Sequence, residues 1–458
     1  MPFSRFSGFI AAPALFVTLL LGGCSSIGAT LGLSGPADAP PSSQTTGMVV
    51  ADEPLAAKTG ASILGQGGSA ADAVTAMFFA LSATYPVAAG PGGGGLCLVR
   101  DAGGRVQEVD FLARRANRGG PFAIPAAVRG FYDLQKAFGI LPWQRVVSPG
   151  ESYAATGFPI SHALSLRIAA AQNVIRLDAA LAAEFLDETG VPKPEGTVVA
   201  NTALSQTLGT VRLSGADGFY QGAVASQLAA YSEQQGGVIS TPELANTKSS
   251  MIAARSVALG AYTVTLPAVA TGAGAFANTL LNSMTQAGIA SDAAILTAMR
   301  QSLAAFGVST LPPDLGATGF SALDAQGQAV ACAVTLNGPF GSGHTAGATG
   351  VLLGASPAAP AGISTAFLTP VLAGDSAGQV ALAGTGTGGP NGSAAVLFAL
   401  LKLAGGGQLN RASDLRTTGA APYATVNVIS CQGGYCAPLS DPGASGLGAA
   451  PDQVAPAQ

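Results

Sequence analysis

Histidine is almost missing from this chain: His162 and His344 are the two copies among 458 residues. A nucleophile activated by an imidazole would have to use one of them, and neither context suits the task. His162, in Ile160-Ser161-His162-Ala163-Leu164, opens a helix that Ser161 can cap. His344 closes the glycine-rich turn Gly341-Ser342-Gly343-His344. Neither position shows a third group that would orient the ring as a base. No CxxC, HExxH or His/carboxylate cluster at ligand spacing occurs, so neither a metal nor any other cofactor is expected. Charge is also scarce: Asp, Glu, Lys and Arg make up 10% of the chain, and the formal net charge is −4. With no basic stripe and no aromatic-basic interleaving, nucleic-acid binding is excluded as a reading.

The N-terminus carries an export pattern. Arg5 supplies a positive end, Phe9 to Leu21 is apolar, and Leu21-Gly22-Gly23-Cys24 resembles the lipobox before a lipid-modified cysteine. That apolar run falls short of the roughly 20 residues of a membrane span, so residues 1–23 read as a cleaved signal peptide. Cys24 is the expected lipidation site, and residues 24–46, rich in Gly, Ser, Ala and Pro, read as a flexible tether. The expected location is the periplasmic side of a bacterial membrane, most naturally the outer one, with the lipid as the membrane contact. In such an oxidising compartment Cys431 and Cys436, bracketing Gln432-Gly433-Gly434-Tyr435, can close a disulfide. Cys97 and Cys332 lie in apolar, strand-like runs and read as small buried hydrophobes. Residues 437–458, ending Ala-Pro-Asp-Gln-Val-Ala-Pro-Ala-Gln, read as a disordered tail.

Between these ends the pattern is mixed. Asp52 to Gly67 predicts a helix, and Ser69 caps a second and more apolar one through Leu81. Pro91-Gly92-Gly93-Gly94-Gly95 then leads into strands Leu96–Val99 and Val106–Phe111. Helical periodicity fills most of 125–235. Strand character returns over 251–266, followed by a helix over 275–287, strands at 350–353 and 379–383, and a helix over 393–403. Strands near both ends with helices between them imply an α+β domain, with helix layers packed on paired sheets.

The hairpin Gly316 to Asn337 is the most chemically suggestive segment. Two apolar strands flank the turn Ala325-Gln326-Gly327-Gln328, and Thr318 stands at the head of the first. A threonine freed as a chain terminus carries its own α-amine beside the hydroxyl and needs no histidine.

Six colinear segments, spanning roughly residues 47–405, resemble the γ-glutamyltransferase (γ-glutamyltranspeptidase) family of N-terminal-nucleophile hydrolases. They are Leu64 to Ala73, Gly92 to Leu98, Val109-Asp110-Phe111, Ala123 to Gly130, Gly139-Ile140-Leu141-Pro142-Trp143, and the Thr318 hairpin with Phe340-Gly341-Ser342-Gly343. The resemblance implies a four-layer αββα sandwich. It implies self-cleavage before the nucleophilic threonine, giving a large portion (47–317) and a small portion (318–436) that stay associated. The substrate would be a γ-glutamyl amide such as glutathione, or another acyl amide, with water or an amino acid as acceptor. By the same resemblance Thr318 is the nucleophile, Thr335 and Asn337 orient it, and Gly388 and Gly389 hold the oxyanion. Ser364 and Thr365 would touch the substrate carboxylate.

This sequence departs from the family pattern in three places. Aligned without a gap, the nucleophile position falls on Ala317. Thr318 takes it only if one residue is deleted, an irregularity that Gly319 could absorb at the strand's start. The family's carboxylate-binding arginine corresponds to Leu112, with Arg114 two residues on along the same face. No carboxylate remains in Ser356-Pro357-Ala358-Ala359, where the family has an acidic partner for the substrate amine. Two readings follow: a self-cleaving threonine amidohydrolase or acyltransferase, and a catalytically silent envelope lipoprotein that kept the fold.

Overall fold

A computed structural model describes residues 42–43, 47–287, 292–358, 360–416 and 423–453. Cys24 and the signal peptide lie outside the described residues. The strands that build the core are β1 (Met48–Ala51), β2 (Gly94–Arg100), β3 (Val106–Phe111), β4 (Ser250–Ala253), β5 (Ser256–Leu259), β6 (Tyr262–Thr265), β7 (Ala317–Leu323), β8 (Ala329–Thr335), β9 (Thr369–Gly374), β10 (Val380–Thr387), β11 (Thr425–Gln432), β12 (Tyr435–Ser440) and β13 (Leu447–Ala449). The helices used below are α1 (Pro54–Gly65), α2 (Ala70–Thr84), α3 (Ala127–Phe138), α4 (Trp143–Thr156), α5 (His162–Ala170), α6 (Gly272–Ala287), α7 (Asp292–Ala305) and α8 (Pro390–Ala404).

Two antiparallel sheets result. One runs β13-β1-β7-β8-β2-β3-β4; the other runs from Ser42–Ser43 through β12-β11-β10-β9-β6-β5. Alternation along the central strands sorts their side chains between two apolar layers, which is why those strands read as continuous hydrophobic runs, while the edge strands β4 and β5 are largely exposed. In β7, Phe320 and Ala322 join the core under α1–α4, together with Val49, Cys97, Val99 and Val330. Leu323 turns the other way and meets Met48, Val50, Leu98, Leu372, Ala383 and Ile429 between the sheets. The second sheet buries its outer face, including Val371, Val426 and Val428, under α6, α7 and α8. The order helix, sheet, sheet, helix is the αββα sandwich.

Helix α2 shows how sequence specifies one of these layers. Ser69 and Asp72 form a reciprocal capping box, with Ser69 N donating to Asp72 Oδ2 at 3.0 Å and Asp72 N to Ser69 Oγ at 3.2 Å. All fifteen residues of the helix are buried, as its all-round apolar composition requires. The Asp72 carboxylate also accepts from Ile140 N and Leu141 N at 2.9 and 3.1 Å, tying the α3–α4 connection to the start of α2.

Three expectations need correction. The chain after Ala437 is not a disordered tail through its described part: it completes β12, and β13 pairs with β1 as the sheet edge. Cys97 and Cys332 are not free buried thiols. They are register partners in the β2–β8 ladder, with Cα atoms 4.1 Å apart, and form a disulfide. Strand β7 carries no irregularity at Gly319, since its pairing with β8 runs unbroken from Ala317–Thr335 to Leu323–Ala329. Cys431 and Cys436 are joined as a second disulfide.

Candidate active site

The head of β7 lies against both sheets. Gly319 is required there, because a Cβ on it would stand 2.3 Å from Thr385 Oγ1 of β10. Upstream, Gly316 takes φ +58°, and a Cβ would collide with Gly338 O at 1.8 Å. The unbroken register puts Ala317 and Gly319 on the face between the sheets, and Thr318 on the opposite parity with Phe320.

Two polar clusters flank this point. In the first, Thr335 Oγ1 lies 2.8 Å from Gly316 O, 3.3 Å from Leu315 O and 3.0 Å from Ser364 Oγ, and it accepts from Asn337 N at 2.8 Å. Ser364 Oγ also lies 3.0 Å from Asn337 Oδ1, and Asn337 Nδ2 donates to Ala355 O at 2.9 Å. Asn337 holds φ 60°, an uncommon conformation for a residue other than glycine and one that asparagine tolerates better than most. The structure thus gathers Thr335, Asn337 and Ser364 around the backbone of Leu315 and Gly316. Gly388 (φ 77°) and Gly389 (φ 135°) turn β10 into α8. A methyl placed on Gly389 would meet Leu315 Cδ1 at 3.8 Å, so Leu315 lies over Gly389, whereas a Cβ on Gly388 would meet Tyr423 O at 1.8 Å.

The second cluster holds Thr318, which the first does not include. Its hydroxyl donates to Asp52 Oδ2 at 2.6 Å. The same carboxylate accepts from Gly319 N at 3.3 Å, Thr425 Oγ1 at 3.0 Å and Asn427 Nδ2 at 2.7 Å. Thr318, Asp52, Thr425 and Asn427 are all buried. Sequence reasoning missed Asp52. Its signal was the first of two adjacent carboxylates, Asp52-Glu53, directly after the apolar run Met48-Val49-Val50-Ala51.

Beside this cluster is a buried ion pair. Arg167 of α5 donates from Nε to Asp314 Oδ2 at 3.2 Å and bonds Asp314 Oδ1 through Nη2. Its Nη1 donates to Ala317 O at 3.3 Å, and the guanidinium stands 5.4 Å from the Tyr85 ring centroid. Burial, the largest single influence, would ease the Arg167 proton off, but the charges and hydrogen bonds of Asp314 and Tyr85 together outweigh it and hold the proton more tightly than usual. Burial pushes the Tyr85 hydroxyl up to about 12.

Ala317 itself packs with Leu96, Ala273, Ala333 and Leu368, and Leu112 lies against this group. The two positions where the resemblance expected a nucleophile and an arginine are therefore joined in one apolar cluster. Arg114 is exposed, pairs opposite Ile124, and lines an open cavity of about 300 Å³ with Arg115, Glu243 and Lys248. That cavity shares no lining residue with either polar cluster. Thr365 follows Ser364 on the turn Pro360–Phe367 and is partly exposed. Among the described residues, no group of three or more His, Cys, Asp or Glu side chains is placed to hold a metal ion.

A family model described as gamma-glutamyltranspeptidase matches residues 56–304, ending short of β7. Among curated proteins, "Glutathione hydrolase 2" of Arabidopsis thaliana is 30% identical over 218 residues, 44% of this chain and 37% of its own length. "Acylase ACY 1 proenzyme" of Pseudomonas sp. (strain SE83) is 32% identical over 233 residues, 45% of this chain and 42% of its own. The matched region thus spans less than half the length of these relatives. Cephalosporin acylase from Bacillus halodurans superposes with a TM-score of 0.73 at 17% identity, over 91% of this chain and 97% of that one, a likeness of fold.

Proposed function

Because this chain belongs to the gamma-glutamyltranspeptidase family, we propose that it is an acyl-amide hydrolase or acyltransferase whose nucleophile, Thr318, is released by self-cleavage of the Ala317–Thr318 bond. One observation carries this reading: in the intact chain, residues 315–317 pack against Gly389, Thr335 and the Leu112 cluster, the groups that this reading assigns to the substrate. Leu315 covers Gly389, the Gly316 carbonyl engages Thr335, and Ala317 fills the apolar cluster beside Leu112. Cutting after Ala317 frees all three contacts at once.

In the cut protein, the Thr318 α-amine takes the hydroxyl proton as Oγ1 attacks the acyl carbon, then returns it to the departing amine. Once freed from Ala317, the Thr318 terminus has to turn its hydroxyl from the Asp52 cluster to the Thr335 face, where backbone N–H groups at Gly388 and Gly389 stabilise the oxyanion and Thr335, Asn337 and Ser364 line the approach. Water or an amino acid then attacks the resulting ester. Leu96, Leu112 and Leu368 favour a neutral acyl group over an α-amino carboxylate, which brings the reading nearer to an acylase than to a strict γ-glutamyl enzyme. The two disulfides suit an oxidising compartment, in keeping with a lipid-anchored periplasmic protein.

Mass spectrometry of the reduced protein tests this. A piece starting at Thr318 is expected from the natural sequence, and none from Thr318→Ala. A natural chain that stays whole, with no amidase activity, leaves the second reading, a silent envelope protein. That reading is favoured by one observation: Ala317, not Thr318, shares a face with Thr335.

A further inference from the structure

We propose that Asp52 is the base, and Arg167 the carbonyl-polarising group, for cleavage of the Ala317–Thr318 bond. This inference rests on the self-cleavage reading above and assigns the residues that perform it. In the intact chain Thr318 has an amide nitrogen rather than an amine, so its hydroxyl needs another base. The group in contact with it is a carboxylate, Asp52 Oδ2 at 2.6 Å. Gly319 N, Thr425 Oγ1 and Asn427 Nδ2 fix the carboxylate in place, so little reorganisation precedes proton transfer.

The carbonyl is prepared as well. Leu336 N donates to Gly316 O at 3.0 Å, which makes Ala317–Thr335 a pair that exchanges no ladder bonds. The Ala317 carbonyl therefore faces away from β8. On that side β1 ends at Ala51, opposite Phe320, before reaching it. Arg167 Nη1 occupies the vacant place at 3.3 Å, a buried cation aimed at the oxygen that becomes negative on attack. Asp314 and Tyr85 hold the guanidinium.

The atoms balance with water as the only co-reactant. Thr318 Oγ1 bonds to the Ala317 carbonyl carbon while its proton passes to Asp52. The oxyanion rests on Arg167. Collapse breaks the C–N bond, and Asp52 returns the proton to the Thr318 nitrogen, leaving an ester and a free amine. Hydrolysis of that ester gives an Ala317 carboxylate and the Thr318 hydroxyl.

Reducing gels of freshly purified full-length precursor, sampled over time at neutral pH, test the assignment. Asp52→Asn should slow appearance of the Thr318 terminus by about 100-fold or more. Arg167→Lys keeps a charge for Asp314 but shortens the reach, and should slow cutting by about 10-fold. Asp52→Asn combined with Thr318→Cys should recover cutting, because a thiol ionises far more readily than a hydroxyl; a merely structural carboxylate would not be rescued this way. Cutting of Asp52→Asn within twofold of the natural rate, or no recovery with the cysteine, overturns the assignment while leaving self-cleavage standing. A natural chain that never cuts overturns both.

Discussion

Ala317 stands opposite Thr335 in an unbroken β7–β8 ladder, with its methyl group in the apolar cluster that also receives Leu112. Neither the missing hydroxyl nor the missing guanidinium is an isolated change. The two alterations meet in space, and under the self-cleavage reading they make that part of the site apolar. The self-cleavage reading places the scissile bond one residue further on, where Asp52 and Arg167 bracket it.

Leu112→Arg tests what that apolar part of the site selects. A guanidinium there can pair with a substrate carboxylate once residues 315–317 have left. Relative kcat/KM for a γ-glutamyl anilide over a neutral acyl anilide should rise by about 10- to 100-fold, the worth of one charge-assisted hydrogen bond. An unchanged ratio would mean that residue 112 does not face the acyl group.

The Cys97–Cys332 bridge spans the proposed cut. Cys97 precedes Thr318 and Cys332 follows it, so cleavage leaves two pieces joined covalently. Denaturing gels should show one band without reductant and two with it. In the Cys97→Ala/Cys332→Ala protein, two bands should appear under both conditions. Loss of the bridge should also lower stability by about 2–5 kcal/mol, measured by urea unfolding of uncut Thr318→Ala protein.

Removing one member of the Arg167–Asp314 pair strands a buried charge. Asp314→Ala, again in the uncut Thr318→Ala background, should cost about 3–5 kcal/mol. Replacing both residues, as Arg167→Met with Asp314→Leu, should cost clearly less. Equal losses would mean that the hydrogen bond from Gly316 N to Asp314 Oδ1, at 2.8 Å, carries the effect instead.

Glu53 offers a pH test. It is fully buried at the start of α1, and desolvation raises its carboxyl above 4.5, although Ala56 N and Thr84 Oγ1 donate to it at 2.8 and 2.9 Å. The folded state therefore binds its proton more tightly than the unfolded state does. Its contribution is fully present below about pH 4.5 and is lost as pH rises through the folded value. The stability of Glu53→Gln should lack that decline. Parallel pH profiles for the two proteins would refute the assignment.

Much of the architecture was legible because it depends on short spacings. Ser69 and Asp72 are three residues apart, and the α2 cap follows from that spacing. Val106–Phe111 and the hairpin turn at Ala325–Gln328 carry their own alternation and turn chemistry. Thr335, Asn337, Gly388 and Gly389 were reached through the family resemblance, which did not point to Leu315 against Gly389.

What local spacing cannot encode is which distant groups meet. Asp52 reaches Thr318 across 266 positions, and Cys97 reaches Cys332 across 235. Both contacts are set by how β1, β2 and β8 align beside β7, and a one-residue slip would have reversed each side chain. Composition, the near lack of histidine and the strand and helix periods were decided by the sequence alone. The face on which Ala317 and Thr318 point was decided by sheet register, because packing of two buried layers permits one alignment of the ladder and no other.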